Sequence, residues 1–203
     1  VPARLVVLAS GVGSTLQAVL DATNDPAFGA QIVAVGTDRD GTCAQERAEA
    51  AGIPVFTVRL KDFAERADFD VAVGDAIASY EPDLVVLAGY MKVLGPVVVR
   101  RFPIVNTHPS LLPAFPGGHA IADALGYGVK VSGVTVHWVD EGVDTGPILA
   151  QAAVPVEDGD TEDSLRDRIQ AVERELYVQT IRRVSAASQH SEAVATRPQE
   201  GVK

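Results

Sequence analysis

The sequence predicts an α/β fold: a mainly parallel, twisted sheet of about seven strands with helices on both faces. Two observations lead to it. Short apolar, β-rich runs alternate with segments of helical period along most of the chain, the pattern of successive βαβ units. At 203 residues and 47% hydrophobic content, the chain can bury one full core. The expected organisation is therefore a single domain over 1–184 and a tail over 185–203.

The first strand reads Arg4 to Ala9, RLVVLA. The helix after it places Leu16, Val19 and Leu20 at helical spacing, with Ser14 or Thr15 available as its cap. Further strands are expected at 31–37, 54–60, 83–90, 103–108, 132–140 and 148–156, and helices at 43–51, 67–80, 95–101 and 118–127. A final helix over 161–184 carries the stripe Leu165, Ile169, Val172 and Leu176, with Asp160 as a candidate cap. After Val184 the residues are small and polar without sustained periodicity, so 185–203 reads as a mobile tail.

Composition excludes several classes. No run approaches the roughly 20 apolar residues of a membrane helix, and the N-terminus lacks the layout of a signal peptide, so no membrane association and a cytoplasmic location are expected. The single cysteine, Cys43, rules out an internal disulfide and a cysteine metal cluster. A formal net charge of −10 argues against nucleic-acid binding, and any anionic ligand must be held by local donors.

Three segments carry candidate chemistry. Ser10-Gly11-Val12-Gly13-Ser14-Thr15 joins the first strand to the first helix, where glycines let the backbone approach a ligand and free N–H groups attract phosphate. Gly13, Ser14 and Thr15 are the expected contacts. Leu16 stands where a dinucleotide fingerprint wants its third glycine and no Lys-Ser/Thr follows, so a monophosphate is favoured; a plain capped turn is the alternative. In Asn106-Thr107-His108-Pro109-Ser110, Asn106 and His108 share one strand face at the end where open α/β sheets bind ligands. An amide donor and an imidazole there suit acyl transfer, against the alternative of satisfying strand-end backbone. The loop Asp140 to Gly146 offers three acidic groups without metal-ligand spacing. Asp144 is the choice to orient His108 as an imidazolium. His119 and His137 receive no role, and a triad through Ser110 lacks its surrounding pattern. Gln170 and Glu173 are an ordinary helix edge or a ligand-facing pair.

Together with Gly89-Tyr90-Met91-Lys92-Val93-Leu94 and the run Gly133 to Pro147, these segments resemble the glycinamide ribonucleotide formyltransferase family, a Rossmann-like group that uses 10-formyltetrahydrofolate; the likeness spans about 4–184. The resemblance implies a catalytic trio of Asn106, His108 and Asp144. It implies that Gly13, Ser14 and Thr15 hold the ribonucleotide phosphate, and that Gln170 and Glu173 contact phosphate and ribose. The folate would lie against Met91, Lys92, Val93, Leu94 and Val97 and beside Asp140, Glu141 and Val143, with no metal. Relatives often carry asparagine where Val12 and Thr15 stand and arginine where Lys92 stands.

The expected reaction is direct attack of the ribonucleotide amine on the formyl carbon, in de novo purine biosynthesis, by a monomer or homodimer with small-molecule partners only. The alternatives are a formyltetrahydrofolate hydrolase, disfavoured because the chain begins at its first strand without an added regulatory domain, and a non-catalytic nucleotide or folate binder on the same scaffold. A tRNA-directed formyltransferase fits a short acidic chain poorly.

Overall fold

A computed structural model describes the backbone of residues 1–195 and the side chains of residues 1–187. The elements run β1 (Ala3–Ala9), α1 (Ser14–Thr23), β2 (Ala30–Thr37), α2 (Cys43–Ala50), β3 (Val55–Thr57), α3 (Arg66–Ala78) and β4 (Leu84–Leu87). They continue with α4 (Pro96–Val99), β5 (Ile104–His108), α5 (Ala120–Tyr127), β6 (Val131–Trp138), β7 (Ile148–Pro155) and α6 (Glu162–Ala195). The seven strands form one sheet in the order β3-β2-β1-β4-β5-β6-β7. Pairing is parallel from β3 through β5 and antiparallel for β5 with β6 and β6 with β7.

Strand alternation distributes the core. Leu5, Val7 and Ala9 of β1 pack with Leu16, Val19, Tyr177 and Ile181 from α1 and α6. Val6 and Leu8 face the opposite layer, with Phe69, Val73 and Ile77 of α3 and Val98 of α4. A third cluster joins Ile121, Val134, Val154, Leu165 and Ile169 under α5 and α6. The fully buried Tyr177 donates its hydroxyl to the carbonyls of Leu87 (3.0 Å) and Val105 (2.9 Å), pinning α6 beneath the ends of β4 and β5.

Several expected boundaries move for identifiable reasons. The strand expected at 54–60 shrinks to Val55–Thr57, because this edge strand pairs only with Val35–Thr37, and a 3₁₀ turn follows at Leu60–Asp62. The strand expected at 83–90 stops at Leu87, and Gly89 turns the chain at φ +73°. The helix expected at 95–101 is the single turn Pro96–Val99. Thr161, not Asp160, caps α6: its hydroxyl accepts from the Ser164 N–H at 3.2 Å while Ser164 Oγ accepts from the Thr161 N–H at 2.9 Å. Asp160 is drawn instead into bonds with Arg168 and the Ser164 hydroxyl.

The last helix continues to Ala195, past the expected end at 184. Its apolar stripe does fade there, but the alanine-rich run 185–195 contains neither glycine nor proline, so propensity sustains the helix where periodicity no longer marks it. The remainder of the expected tail, 196–203, lies outside the described residues. No helix among the described residues is long and apolar enough to cross a membrane.

Topology fixes the place for a ligand. From β1 the chain proceeds outward through β2 to β3, then crosses back to β4 on the other side of β1. A crevice therefore opens beyond the carboxyl ends of β1 and β4, at the switch point where open α/β sheets bind ligands.

Candidate active site

The loop leaving β1 is shaped by backbone geometry. Gly13 has φ +73°, and a Cβ there would lie 3.0 Å from the Cα of Ala44, so both conformation and space call for glycine. Arg47 braces the loop, donating from Nε to the Val12 carbonyl at 3.0 Å and from Nη1 to Gln17 Oε1 at 2.8 Å. The expected side-chain cap from Ser14 or Thr15 is not made. Gly13 occupies the cap position, Ser14 is already the first helical residue, and the Thr15 hydroxyl donates to Glu173 Oε1 at 3.0 Å. The first amides of α1 have no partner within the helix and face the crevice with the positive end of its dipole.

This loop forms one wall of a cavity of about 460 Å³, also lined by Arg39, Ala88, Gly89, Met91, Thr107, Pro109, Ile121, Arg166, Ile169, Gln170 and Glu173. All five residues expected to hold the phosphate and ribose thus come together, joined by Arg39 and Arg166, which the sequence reading does not single out. Burial raises the Glu173 carboxyl above its ordinary value against the opposing pull of the Thr15 hydroxyl.

A second cavity of about 350 Å³ lies on the other side of the Gly89–Met91 segment. Met91, Lys92, Val93, Leu94, Asp140 and Val143 line it, together with Asn106, His108, His137 and Asp144. Val97 and Glu141 do not reach this wall. Val97 is 40% exposed on α4, and Glu141 is committed to a forked ion pair with Arg100 at 2.6 and 3.1 Å. That guanidinium holds the Glu141 carboxyl below its ordinary value. Lys92 lines the cavity, but its ammonium lies 3.2 Å from Asp38 Oδ2, a carboxylate also gripped by Arg39 at 3.2 Å. Burial alone would raise Asp38, whose side chain is 1% exposed; hydrogen bonds from Arg39, Ser10 and Lys92 outweigh it and hold the group below its ordinary value. The Ser10 hydroxyl also accepts from the Met91 N–H at 2.8 Å, tying the segment between the cavities to the first loop.

Both cavities share Gly89, Met91, Thr107 and Pro109, and the polar cluster sits beside this common wall. Strand alternation puts Asn106 and His108 on one face of β5, and antiparallel pairing sets His137 of β6 opposite Asn106. The loop after β6 brings Asp144, at φ +56°, up to the imidazole: His108 Nδ1 to Asp144 Oδ2 is 3.2 Å. The other nitrogen, His108 Nε2, lies 2.8 Å from the Phe115 carbonyl. A carbonyl only accepts, so Nε2 carries hydrogen and Nδ1 is the nitrogen that faces the carboxylate. The Gly117 N–H donates to the same Asp144 oxygen at 2.8 Å, so the 113–118 loop closes over both groups. That loop leaves a turn held by Thr135, whose hydroxyl donates to the Ser110 carbonyl at 2.7 Å and accepts from the Leu112 N–H at 3.0 Å. Ser110 is fully buried with its hydroxyl donating to the Ala114 carbonyl, so it is no nucleophile for His108.

His137, to which the sequence assigns no role, is a member of the cluster. Its Nδ1 lies 2.8 Å from the Trp138 carbonyl, and its Nε2 lies 3.5 Å from Asp144 Oδ1 and 3.4 Å from the Asn106 amide. Burial pulls this imidazole down, but hydrogen bonds to Asp144 and the Trp138 carbonyl outweigh that and raise it above its ordinary value. The Asn106 atom at this contact is the amide nitrogen Nδ2. A His137 protonated on both ring nitrogens has no acceptor for it, so with that ring the amide flips, its oxygen toward Nε2 and its NH₂ group toward the cavity. Asp144 in turn is held below its ordinary value, first by the His137 hydrogen bond, against burial, and further by the Gly117 N–H and the nearby His108. A signal for His137 exists in the sequence: it is the one titratable residue of the strand Val131–Trp138, but its partner across the sheet appears only with the register.

The chain is similar to known proteins over most of its length. The formyl transferase family pattern matches residues 3–181. Phosphoribosylglycinamide formyltransferase from Mycobacterium tuberculosis is 56% identical over 97% of this chain and 90% of its own length. The protein of the same name from Bacillus subtilis is 37% identical over 93% of this chain and 98% of its own. Among solved structures, glycinamide ribonucleotide transformylase 1 from Symbiobacterium toebii superposes with a TM-score of 0.89 at 44% identity, covering 92% of this chain and 89% of that one. With its family pattern, its relatives along nearly the full length and its shared fold, the chain belongs to the formyl transferase family.

Proposed function

We propose that this protein transfers the formyl group of 10-formyltetrahydrofolate to the amine of glycinamide ribonucleotide, giving formylglycinamide ribonucleotide and tetrahydrofolate in de novo purine biosynthesis. The observation that carries the reading is the wall shared by the two cavities, with Asn106, His108 and Asp144 beside it. A phosphate held by the amides of Gly13, Ser14 and Thr15 leaves the rest of the ribonucleotide lying toward that wall, with Gln170 and Glu173 along its path. The second cavity offers an apolar lining from Val93, Leu94 and Val143, suited to a flat ring system, and Lys92, which shares one carboxylate, Asp38, with Arg39 and so keeps net positive charge beside an anionic tail. The names of the relatives point to the same substrate.

Holding amine and formyl carbon together supplies the proximity that dominates such transfers, worth about 7–11 kcal/mol in well-oriented cases. The residues then act on charge. The Asn106 NH₂ donates to the developing oxyanion. His108, anchored at Nε2 by the Phe115 carbonyl and at Nδ1 by Asp144, acts as the imidazolium, sharing its Nδ1 hydrogen between Asp144 and the oxyanion and stabilising the latter by its charge. Asp144 accepts the proton released by the attacking amine, directly or through water. As the oxyanion re-forms the carbonyl, the bond from the formyl carbon to the folate N10 breaks, and the same proton passes to N10 to release tetrahydrofolate. The setting we assign is the cytoplasm, with no metal taking part.

The hydrolase reading uses the same trio but needs no site for a phosphorylated acceptor, and the cavity lined by Gly13–Thr15, Arg39 and Arg166 favours the transferase over it. Mass spectrometry of a reaction with both substrates should show the formylated ribonucleotide as the product. Free formate in its place would contradict the transferase.

A further inference from the structure

Thr107 stands between Asn106 and His108 but on the opposite face of β5, and it lines both cavities. Its Oγ1 is buried and has no hydrogen-bond partner among the described residues. Leaving a buried hydroxyl unpaired is unfavourable, and a valine would fill the same volume without it, so packing does not explain the oxygen. Among the described residues two other hydroxyls share this condition, those of Ser132 and Ser185, and neither residue lines either of these two cavities. Around Thr107 the polar groups are committed: Asn106 to His137, His108 to Asp144 and Phe115, Thr15 to Glu173.

The shared wall consists of Gly89, Met91, Thr107 and Pro109, of which only Thr107 carries a hydroxyl. On the reading above, a ribonucleotide with its phosphate at Gly13–Thr15 and its amine beside His108 must lay its linking amide across this wall. An amide offers both a donor and an acceptor, and a hydroxyl can serve either. Because Thr107 borders both cavities, a turn of χ1, which has no hydrogen bond to break, is the motion that would carry the oxygen to the cavity surface.

We propose that Thr107 is a substrate-binding residue whose hydroxyl turns to the shared wall and hydrogen-bonds the glycinamide amide of the ribonucleotide. The assignment rests on the transferase reading, and it makes the side chain between two members of the trio a determinant of acceptor affinity. It acts on ground-state and transition-state binding alike, so it sets KM for the ribonucleotide more than kcat.

The test is calorimetric titration of wild type, Thr107→Val and Thr107→Ser with glycinamide ribonucleotide and, separately, with 10-formylfolate, alongside melting curves without ligand. Thr107→Val should bind the ribonucleotide about three- to tenfold more weakly. Thr107→Ser should stay within about twofold of wild type, folate affinity should not change, and the melting temperature of Thr107→Val should be no lower than that of wild type. A Thr107→Val protein that binds the ribonucleotide as wild type does would overturn the assignment alone, and so would one that melts lower with equal affinity. If wild type itself fails to bind the ribonucleotide, the transferase reading falls and this inference with it. Should Thr107→Val not fold, Thr107→Ser against Thr107→Ala isolates the same hydroxyl, and equal affinities in that pair would overturn the assignment.

Discussion

Asp144 is the residue on which the charge of the site turns. One carboxylate oxygen faces His108 and accepts from Gly117, the other faces His137, and their pull keeps the group ionised below the usual carboxylate range. Asp144→Asn keeps the shape but removes the charge that orients His108, and turnover should fall by about 10²- to 10⁴-fold with an unchanged circular dichroism spectrum. Because its folded pKa is lowered, Asp144 contributes stability that is fully present above its ordinary value of 3.8 and is lost as pH falls through the lowered one. His137 runs the other way: with a raised folded pKa, its contribution is complete below the ordinary value of 6.5 and disappears as pH rises through the raised one. The melting temperature of wild type should therefore exceed that of His137→Gln most on the acid side of neutrality, and the gap should close toward alkaline pH. A gap that widens with rising pH would contradict the protonated His137. The same variant should lower kcat, because the Asn106 amide is then free to flip its NH₂ away from the cavity.

At the scale of single elements, the loop after β1 and the long helix α6 carry the site. Gly13→Ala must place a side chain at φ +73° and against Ala44, at a conformational cost of about 1–2 kcal/mol. The loop should relax away from its productive shape, raising KM for the ribonucleotide more than KM for the folate. Tyr177→Phe removes the hydroxyl that joins α6 to the carbonyls of Leu87 and Val105, and chemical denaturation should show a loss of about 1–2 kcal/mol. Legibility in the sequence differs between these elements. The apolar stripe Leu165, Ile169, Val172 and Leu176 marks α6 plainly, yet its C-terminal third rests on alanine propensity without a stripe, which a periodicity reading passes over. Asn106 and His108 are legible as a pair because strand alternation alone puts them on one face. His137 and Asp38 are not, because each owes its place to a residue far along the chain: His137 to the β5/β6 register and Asp38 to Lys92. Lys92 is legible as a lining residue, whereas its ion pair with Asp38 appears only in the fold.

Across the whole molecule, the reversal of strand order between β1 and β4 creates the crevice, and the turn back into antiparallel β6 and β7 supplies its far side. The α/β class and the parallel core are readable from the alternation of elements. The antiparallel edge is not, since a strand of this length pairs in either direction and only the crossover decides. The overall charge of −10 would repel an anionic substrate, and the molecule offsets it locally where Arg39 and Lys92 share the single carboxylate of Asp38 and leave net positive charge between the cavities; Arg166, by contrast, is paired with Glu162 and Asp163. The central claim is that these two cavities hold two substrates that react with each other across their common wall. Its most direct test follows the absorbance of 10-formylfolate with purified protein, in the presence and absence of glycinamide ribonucleotide. Loss of the formyl group only when the ribonucleotide is present is the predicted result, and loss at the same rate without it would contradict the account.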